Sequence, residues 1–177
     1  TPIKSSAASD VYKRQVVDQL KEGVYDFVFS SYVEGENDLE FYPVAEEELV
    51  LIVPRDHPLA AYQSIDLQDT IQYPYIAFAK NSGLRPVINQ LFSQIHGQPE
   101  IVYEGEEDSS VAGLVAAGFG IAIIPKIPLL QTMDLSILNI TSPKIKRYIY
   151  LVIKKNKYLA PAAKDFAEFV KKNYSVL

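Results

Sequence analysis

Val111–Ala112–Gly113–Leu114–Val115–Ala116–Ala117–Gly118–Phe119–Gly120–Ile121–Ala122–Ile123–Ile124–Pro125 reads as a helix, a stop and a buried strand. Ala112, Gly113, Ala116 and Ala117 are small enough to let the helix lie close on a sheet. Gly118 falls where a left-handed C-terminal cap is needed, because glycine has no Cβ to clash there. Gly120 keeps the following turn open. Ile121, Ile123 and Ile124 form a short β-branched apolar run, the pattern of a strand covered on both faces. Pro125 ends it, since proline has no N–H for a ladder. A helix feeding a fully buried strand through a tight turn is half of a parallel α/β unit, so the fold class is α/β.

The flanking segments continue that pattern. Upstream, Tyr73–Ala79 predicts a strand and Lys80–Asn81–Ser82–Gly83 a loop. Leu84, Val87, Ile88, Leu91, Phe92 and Ile95 then make one apolar stripe of helical period. Pro86 is tolerated in the first turn, and Gly97 is read as the stop. Glu100–Glu104 is a strand, and Gly105–Ser110 leads into the helix of the first stretch. Nearer the N-terminus, Val16–Glu22 is an amphipathic helix end stopped by Gly23. Tyr25–Ser30, Leu39–Val44 and Glu48–Val53 are strands, and Ser64 is expected to cap a short helix through Asp69. Beyond Pro125, Leu135–Ile140 and Tyr148–Ile153 are strands. Pro161 opens a last helix expected to bury Ala162, Phe166, Phe169 and Val170. Two lobes are expected, with chain crossings near Val53–Ser64 and near Pro125–Thr132. Thr1–Gln15 is polar and without periodicity, and reads as a leader foreign to the domain.

Composition narrows the function classes. The 177 residues are 48% hydrophobic, enough for a real core. The net charge of −5 argues against this chain wrapping nucleic acid by itself, because phosphate contacts need clustered Lys and Arg. There is no cysteine, which excludes disulfides, thiolate metal sites and cysteine nucleophiles. With two histidines, neither a His-based metal site nor a metal cofactor is expected. No apolar run approaches the roughly 20 residues of a membrane span, so no membrane partner is expected. The first residues lack the apolar core of a secretion signal, and the cytoplasm is the expected compartment.

Two loops have the chemistry of an anion site. Asn81–Ser82 and Asp108–Ser109–Ser110 each follow a strand and begin a helix, where free backbone N–H groups and hydroxyls converge. Ordinary helix capping explains either loop alone. Together with Ser30 and Ser31 at a third strand end they suggest a ligand site, because ligands of open α/β sheets sit at the C-terminal strand ends. Asp108 opposes an anion in its own loop and suits an amine. The carboxylates of Glu46–Glu48 and Glu104–Asp108 do not converge along extended backbone and read as solvated surface. His57, between Pro54 and Pro58, reads as a turn residue. Lys144, Lys146 and Arg147 read as a solvated rim. Gly118–Phe119–Gly120 stands between a helix and a strand, the reverse of a dinucleotide fingerprint. No catalytic constellation emerges, and no enzyme is expected.

Certain segments also stand in a familiar order. They are Leu20–Gly23 followed by Tyr25–Val28, Leu39, Tyr42–Val44, Glu48–Val53 with His57–Leu59, Ser82–Arg85, Leu114–Pro125, and Leu159–Ala163. In order and spacing they resemble the effector-binding domain of LysR-type bacterial transcriptional regulators, from Val16 to the C-terminus. The resemblance implies a two-lobed, periplasmic-binding-protein-like fold of type 2. It implies a small effector in the cleft between lobes and two crossover strands as hinge. It also implies an N-terminal winged helix-turn-helix that contacts DNA, and homo-oligomeric assembly as dimers of dimers.

Lobe one would span about residues 16–60 plus part of 130–177, and lobe two about 66–128. The chain shows no helix-turn-helix and lacks the family's first strand, first helix and second strand, so the first lobe is expected to be incomplete. The Tyr25–Ser30 strand would then expose an unpaired edge. Carried over by position, the ligand-binding candidates are Ser30 and Ser31, then Phe78, Lys80, Asn81, Ser82 and Gly83, and finally Asp108 and Ser109. Hydroxyls and helix starts suit a carboxylate or another small anion. The competing reading is a solute-binding protein of a transport system on the same fold.

Overall fold

The computed structural model describes residues 16–33, 35–80 and 82–176. The expected leader Thr1–Gln15 and the candidate Asn81 lie outside the described residues. The chain forms two compact units. Unit one takes the described residues up to Glu47 and from Lys146 onward, and unit two runs from Glu48 to Ile145.

Unit one is built on a three-stranded antiparallel sheet. Strand β1 (Phe27–Ser30) and strand β2 (Leu39–Glu47) flank β9 (Arg147–Lys154). The two-residue period of β9 assigns its side chains to opposite faces. Val152 joins Val28, Leu39, Val17 and Leu20 on one face, where the helical residues 16–22 (α1) pack. Leu151 and Ile153 join Val44, Ala167 and Val170 on the other, under helix α4 (Pro161–Tyr174). Gly23 takes φ +86 and its N–H donates to the Leu20 carbonyl, so it is the stop of α1 that the sequence indicated. The last helix departs from expectation. Ala162, Phe166 and Phe169 are exposed, and α4 meets the sheet through Ala167 and Val170. A small residue at Ala167 brings the helix close, which turns the bulkier rings outward. Phe166 instead stacks on Phe27, with ring centroids 5.0 Å apart.

Unit two centres on β3 (Leu49–Pro54), every residue of which is buried. It lies between β7 (Ala122–Pro125) and β8 (Leu135–Ser142), and β4 (Ser64–Asp66) adds in parallel to β8. Strands β5 (Tyr75–Phe78) and β6 (Ile101–Gly105) pair in parallel. They join the larger sheet through the Tyr75–Ile121 bridge. Helices α2 (Arg85–Gln94) and α3 (Asp108–Ala116) complete the unit. Because β3 pairs with β7 and β8, the chain leaves unit one before β3, at Glu47/Glu48, and returns at Ile145/Lys146. The crossings read from sequence lay later on the first pass, near Val53–Ser64, and earlier on the second, near Pro125–Thr132.

The helix–stop–strand of the sequence is present in unit two. Val111, Ala112 and Val115 are buried, and α3 packs on β3, β5 and β7. Gly118 has φ +82, and the N–H of Gly118 and Phe119 donate to the carbonyls of Val115 and Leu114. That is a Schellman-type cap. Two local expectations are corrected. Ser64 lies in β4, and Asp66 is the residue that caps the 3-10 turn Leu67–Thr70, its Oδ1 accepting from Gln68 N at 2.9 Å. After α2 the left-handed residue is His96, with φ +51, rather than Gly97.

Candidate functional site

In unit one, the C-terminal end of β1 carries Ser30 and then Ser31, both half-buried. Antiparallel pairing sets the start of β9 beside the end of β2, with Glu47 directly opposite Arg147. Arg147 Nη2 donates to Ser31 Oγ at 3.1 Å, while its Nη1 forms an ion pair with Glu47 Oε2. The guanidinium side chain is only 11% exposed, and burial holds its pKa below the ordinary arginine value. Its Nε is buried without an acceptor among the described residues. Neighbouring Lys146 pairs with Glu46 at 3.2 Å but stays in solvent. The rim read from Lys144, Lys146 and Arg147 therefore divides, with Arg147 turned in to Ser31. Sequence reasoning missed this residue. Its signal is its place at the start of an apolar strand, and strand pairing is needed to make use of it.

In unit two, Phe78 pairs with Gly105 in the β5–β6 register, and Ala79 N donates to the Gly105 carbonyl at 2.8 Å. The loops after β5 and β6 consequently leave the same end of the sheet. They bring Lys80, Ser82 and Gly83 together with Asp108 and Ser109 at that end. Ser82 is buried, and its Oγ accepts from Leu84 N at 3.3 Å, a capping role. Lys80 and Ser109 are exposed, while Gly83 and Asp108 are half-buried. Glu107 stands at the N-cap of α3 without a side-chain cap hydrogen bond. Gly105 makes the approach of α3 possible, since a Cβ there would lie 2.8 Å from Val111 Cγ2.

Phe78 differs in kind from the other candidates. Its side chain is 1% exposed within the core, and it presents only its carbonyl, to Arg85 Nη1. The second loop adds three carboxylates, Glu106, Glu107 and Asp108, at the sheet end from which Lys80 also emerges. Such a mixture suits a ligand that donates hydrogen bonds, such as one bearing hydroxyls, better than a bare anion. An open surface groove runs along Asn89, Phe92, Ser93, His96 and Ile101, and none of the sequence-derived candidates lines it.

Among the described residues no group of three His, Asp or Glu side chains could hold a metal ion. No described helix is long and apolar enough to cross a membrane. His57 Nδ1 accepts from Leu59 N at 3.2 Å and its ring packs edge-on to Tyr73, so the side chain is engaged in a turn.

Residues 10–175 match the family model described as the LysR substrate binding domain. This chain belongs to the LysR substrate-binding-domain family. The match begins inside the stretch read as a leader. Among curated relatives, an uncharacterized HTH-type transcriptional regulator of Bacillus subtilis, YybE, is 33% identical over 160 residues, 90% of this chain and 55% of that protein. The transcriptional dual regulator GltC of the same organism is 29% identical over 173 residues, 89% of this chain and 58% of that protein. The chain spans little more than half the length of these LysR relatives. Among solved structures, the effector-binding domain of QuiR in complex with shikimate superposes with a TM-score of 0.86 at 45% identity. That match covers 91% of this chain and 77% of the QuiR domain. The two-lobed, periplasmic-binding-protein-like α/β fold of LysR effector-binding domains is therefore the fold of this chain.

Proposed function

We propose that this chain is the effector-sensing domain of a LysR-family transcriptional regulator, and that its effector is a small hydroxylated carboxylate of the shikimate kind. The observation that carries the reading is the 45% identity, across 91% of this chain, to a domain solved with shikimate. The chemistry of the site candidates agrees with it. A hydroxylated carboxylate needs a cationic partner and several hydroxyl partners. The chain holds Arg147 beside Ser31 in unit one, and Ser82, Asp108 and Ser109 at one sheet end in unit two. Ser30, Lys80, Asn81 and Gly83 complete the proposed set, to which Phe78 contributes through its backbone.

The effector acts by population shift: it favours the arrangement of the domain that it binds better. A coupling of about 1–3 kcal/mol is enough to alter operator affinity in the intact regulator. DNA is contacted through a helix-turn-helix outside this chain, the intact regulator is a cytoplasmic homo-oligomer, and no catalysis is involved. The relatives named above are transcriptional regulators, which favours regulation over transport.

Calorimetric titration of the intact regulator with shikimate tests this reading. Saturable binding is expected, weakened by Ser30→Ala and by Ser82→Ala. Binding that neither substitution changes would mean that these hydroxyls are not the contacts. Absence of shikimate binding would remove the effector class.

A further inference from the structure

The Arg147–Glu47 pair stands where the chain crosses between units. Glu47 is the last residue of unit one on the first pass, and Arg147 is the second residue after the return at Ile145/Lys146. Their backbones are directly opposed as the end rung of the β2–β9 ladder. The pair is also less exposed than its neighbours, at 11% and 30% for the two side chains. A guanidinium carries five N–H donors in a planar fork. Here one nitrogen is taken by Glu47, another by Ser31, and Nε is buried with no acceptor among the described residues. Glu47 Oε2 in turn has no described partner besides this guanidinium. A buried guanidinium with an unused donor, aimed at a serine on a strand end, is equipped to take a second carboxylate.

We propose that Arg147 is the carboxylate-recognising residue of unit one, and that Glu47 is the internal carboxylate that an effector displaces from it. The assignment rests on the reading of the effector as a carboxylate. In the structure Glu47 occupies the fork. A bound carboxylate takes over part of it, beside Ser31, and Glu47 is released from the end rung of the ladder. The exchange is a local electrostatic event at the residues through which the chain leaves and re-enters unit one. That position makes ligand occupancy legible to the rest of the molecule. Lys146 and Glu46, which precede Arg147 and Glu47 in sequence, are solvated and pair with each other.

The test uses the intact regulator and its Arg147→Gln, Arg147→Lys and Glu47→Gln variants, titrated with shikimate. Arg147→Gln is expected to weaken binding by about 30-fold or more, as loss of a buried charge-assisted partner does. Arg147→Lys should recover part of that loss, keeping the charge without the fork. Glu47→Gln should bind more tightly than wild type, because the competing charge is gone. A merely structural ion pair predicts the opposite for Glu47→Gln: a loss of stability and affinity alongside Arg147→Gln. That result would overturn the proposal.

A second measurement does not depend on the identity of the effector. Millimolar benzoate should raise the melting temperature of Glu47→Gln more than that of wild type, and should have no effect on the Glu47→Gln/Arg147→Gln double variant. Equal shifts in all three chains would overturn the role of Arg147. Failure of shikimate to bind wild type, with the benzoate pattern intact, would overturn only the effector class.

Discussion

Arg85 and Glu104 are joined by an ion pair of 2.8 Å between Nη1 and Oε1, which ties the first residue of α2 to β6. The same Nη1 donates to the carbonyl of Phe78, and Nε donates to Asn89 Oδ1 at 3.2 Å. The two ends of the pair differ in environment, since the Arg85 side chain is 10% exposed and that of Glu104 39%. Removing Arg85 takes a charged donor from the carbonyl of a buried residue, whereas removing the Glu104 charge returns one exposed group to water. Arg85→Met is therefore predicted to cost about 2 kcal/mol of stability and Glu104→Gln less than about 1 kcal/mol. Urea denaturation of the two variants checks the order. Equal losses would mean that the surface pair, rather than the Phe78 carbonyl, matters.

Gly120 has φ +157, and a Cβ at that position would lie 2.6 Å from the Pro74 carbonyl oxygen. That oxygen accepts the Ile121 N–H at 2.9 Å, the contact that joins β5 to the larger sheet. A side chain here must push backbone against backbone. Gly120→Ala is predicted to destabilise the protein by about 2–3 kcal/mol, whereas Gly113→Ala, in open space within a helix, should be neutral or stabilising. Melting temperatures of the two variants decide it.

His57 supplies a pH dependence. Burial of the ring lowers its pKa below the ordinary value, although the charge of Asp56 works against this. Its Nδ1 accepts the Leu59 N–H, which the protonated ring cannot do. The unfolded chain therefore binds this proton more readily than the folded one, and by linkage stability rises with pH through that range. The contribution is complete above the unfolded value of about 6.5 and is lost as the pH falls through and below it. His57→Asn keeps a capping oxygen but does not titrate. The stability difference between wild type and His57→Asn is predicted to shift in favour of the variant between pH 7.5 and pH 5.5. A difference independent of pH would show that the ring does not titrate in this range.

Among the described strands β1 pairs only with β9, and Phe29 on it is 49% exposed. Phe166, stacked on Phe27 beside it, is 44% exposed. A free strand edge next to aromatic surface invites association. The 177-residue chain is predicted to self-associate with rising concentration, and Phe29→Lys should reduce this. Light scattering across a concentration series checks both statements. A strictly monomeric wild-type chain would contradict them.

Local signals in the sequence determined much of the fold. Gly23 and Gly118 were legible as helix stops, because a left-handed residue without a Cβ is a one-residue requirement. The apolar spacing from Leu84 to Ile95 fixed the buried face of α2, and the β-branched run Ile121–Ile124 fixed a covered strand. The ordered motifs also identified the family, since spacing along the chain survives without any knowledge of contacts. Which strand pairs with which was not legible. Strand β3 belongs to unit two because it pairs with β7 and β8, and the paired residues lie 70 or more positions away in sequence. The outer rings of α4 were misjudged for a similar reason, because helical period states which residues share a face but not which face meets a sheet. The candidate site divides along the same line. Ser30, Ser31, Ser82 and Asp108 could be read from strand ends and helix starts, which are local features. Phe78 required the core to show its side chain turned inward, and Arg147 required the β2–β9 ladder to carry it out of solvent to Ser31. A charge in a basic cluster looks solvated until antiparallel pairing, over a separation of 100 residues, sets a glutamate opposite it and draws the guanidinium out of solvent.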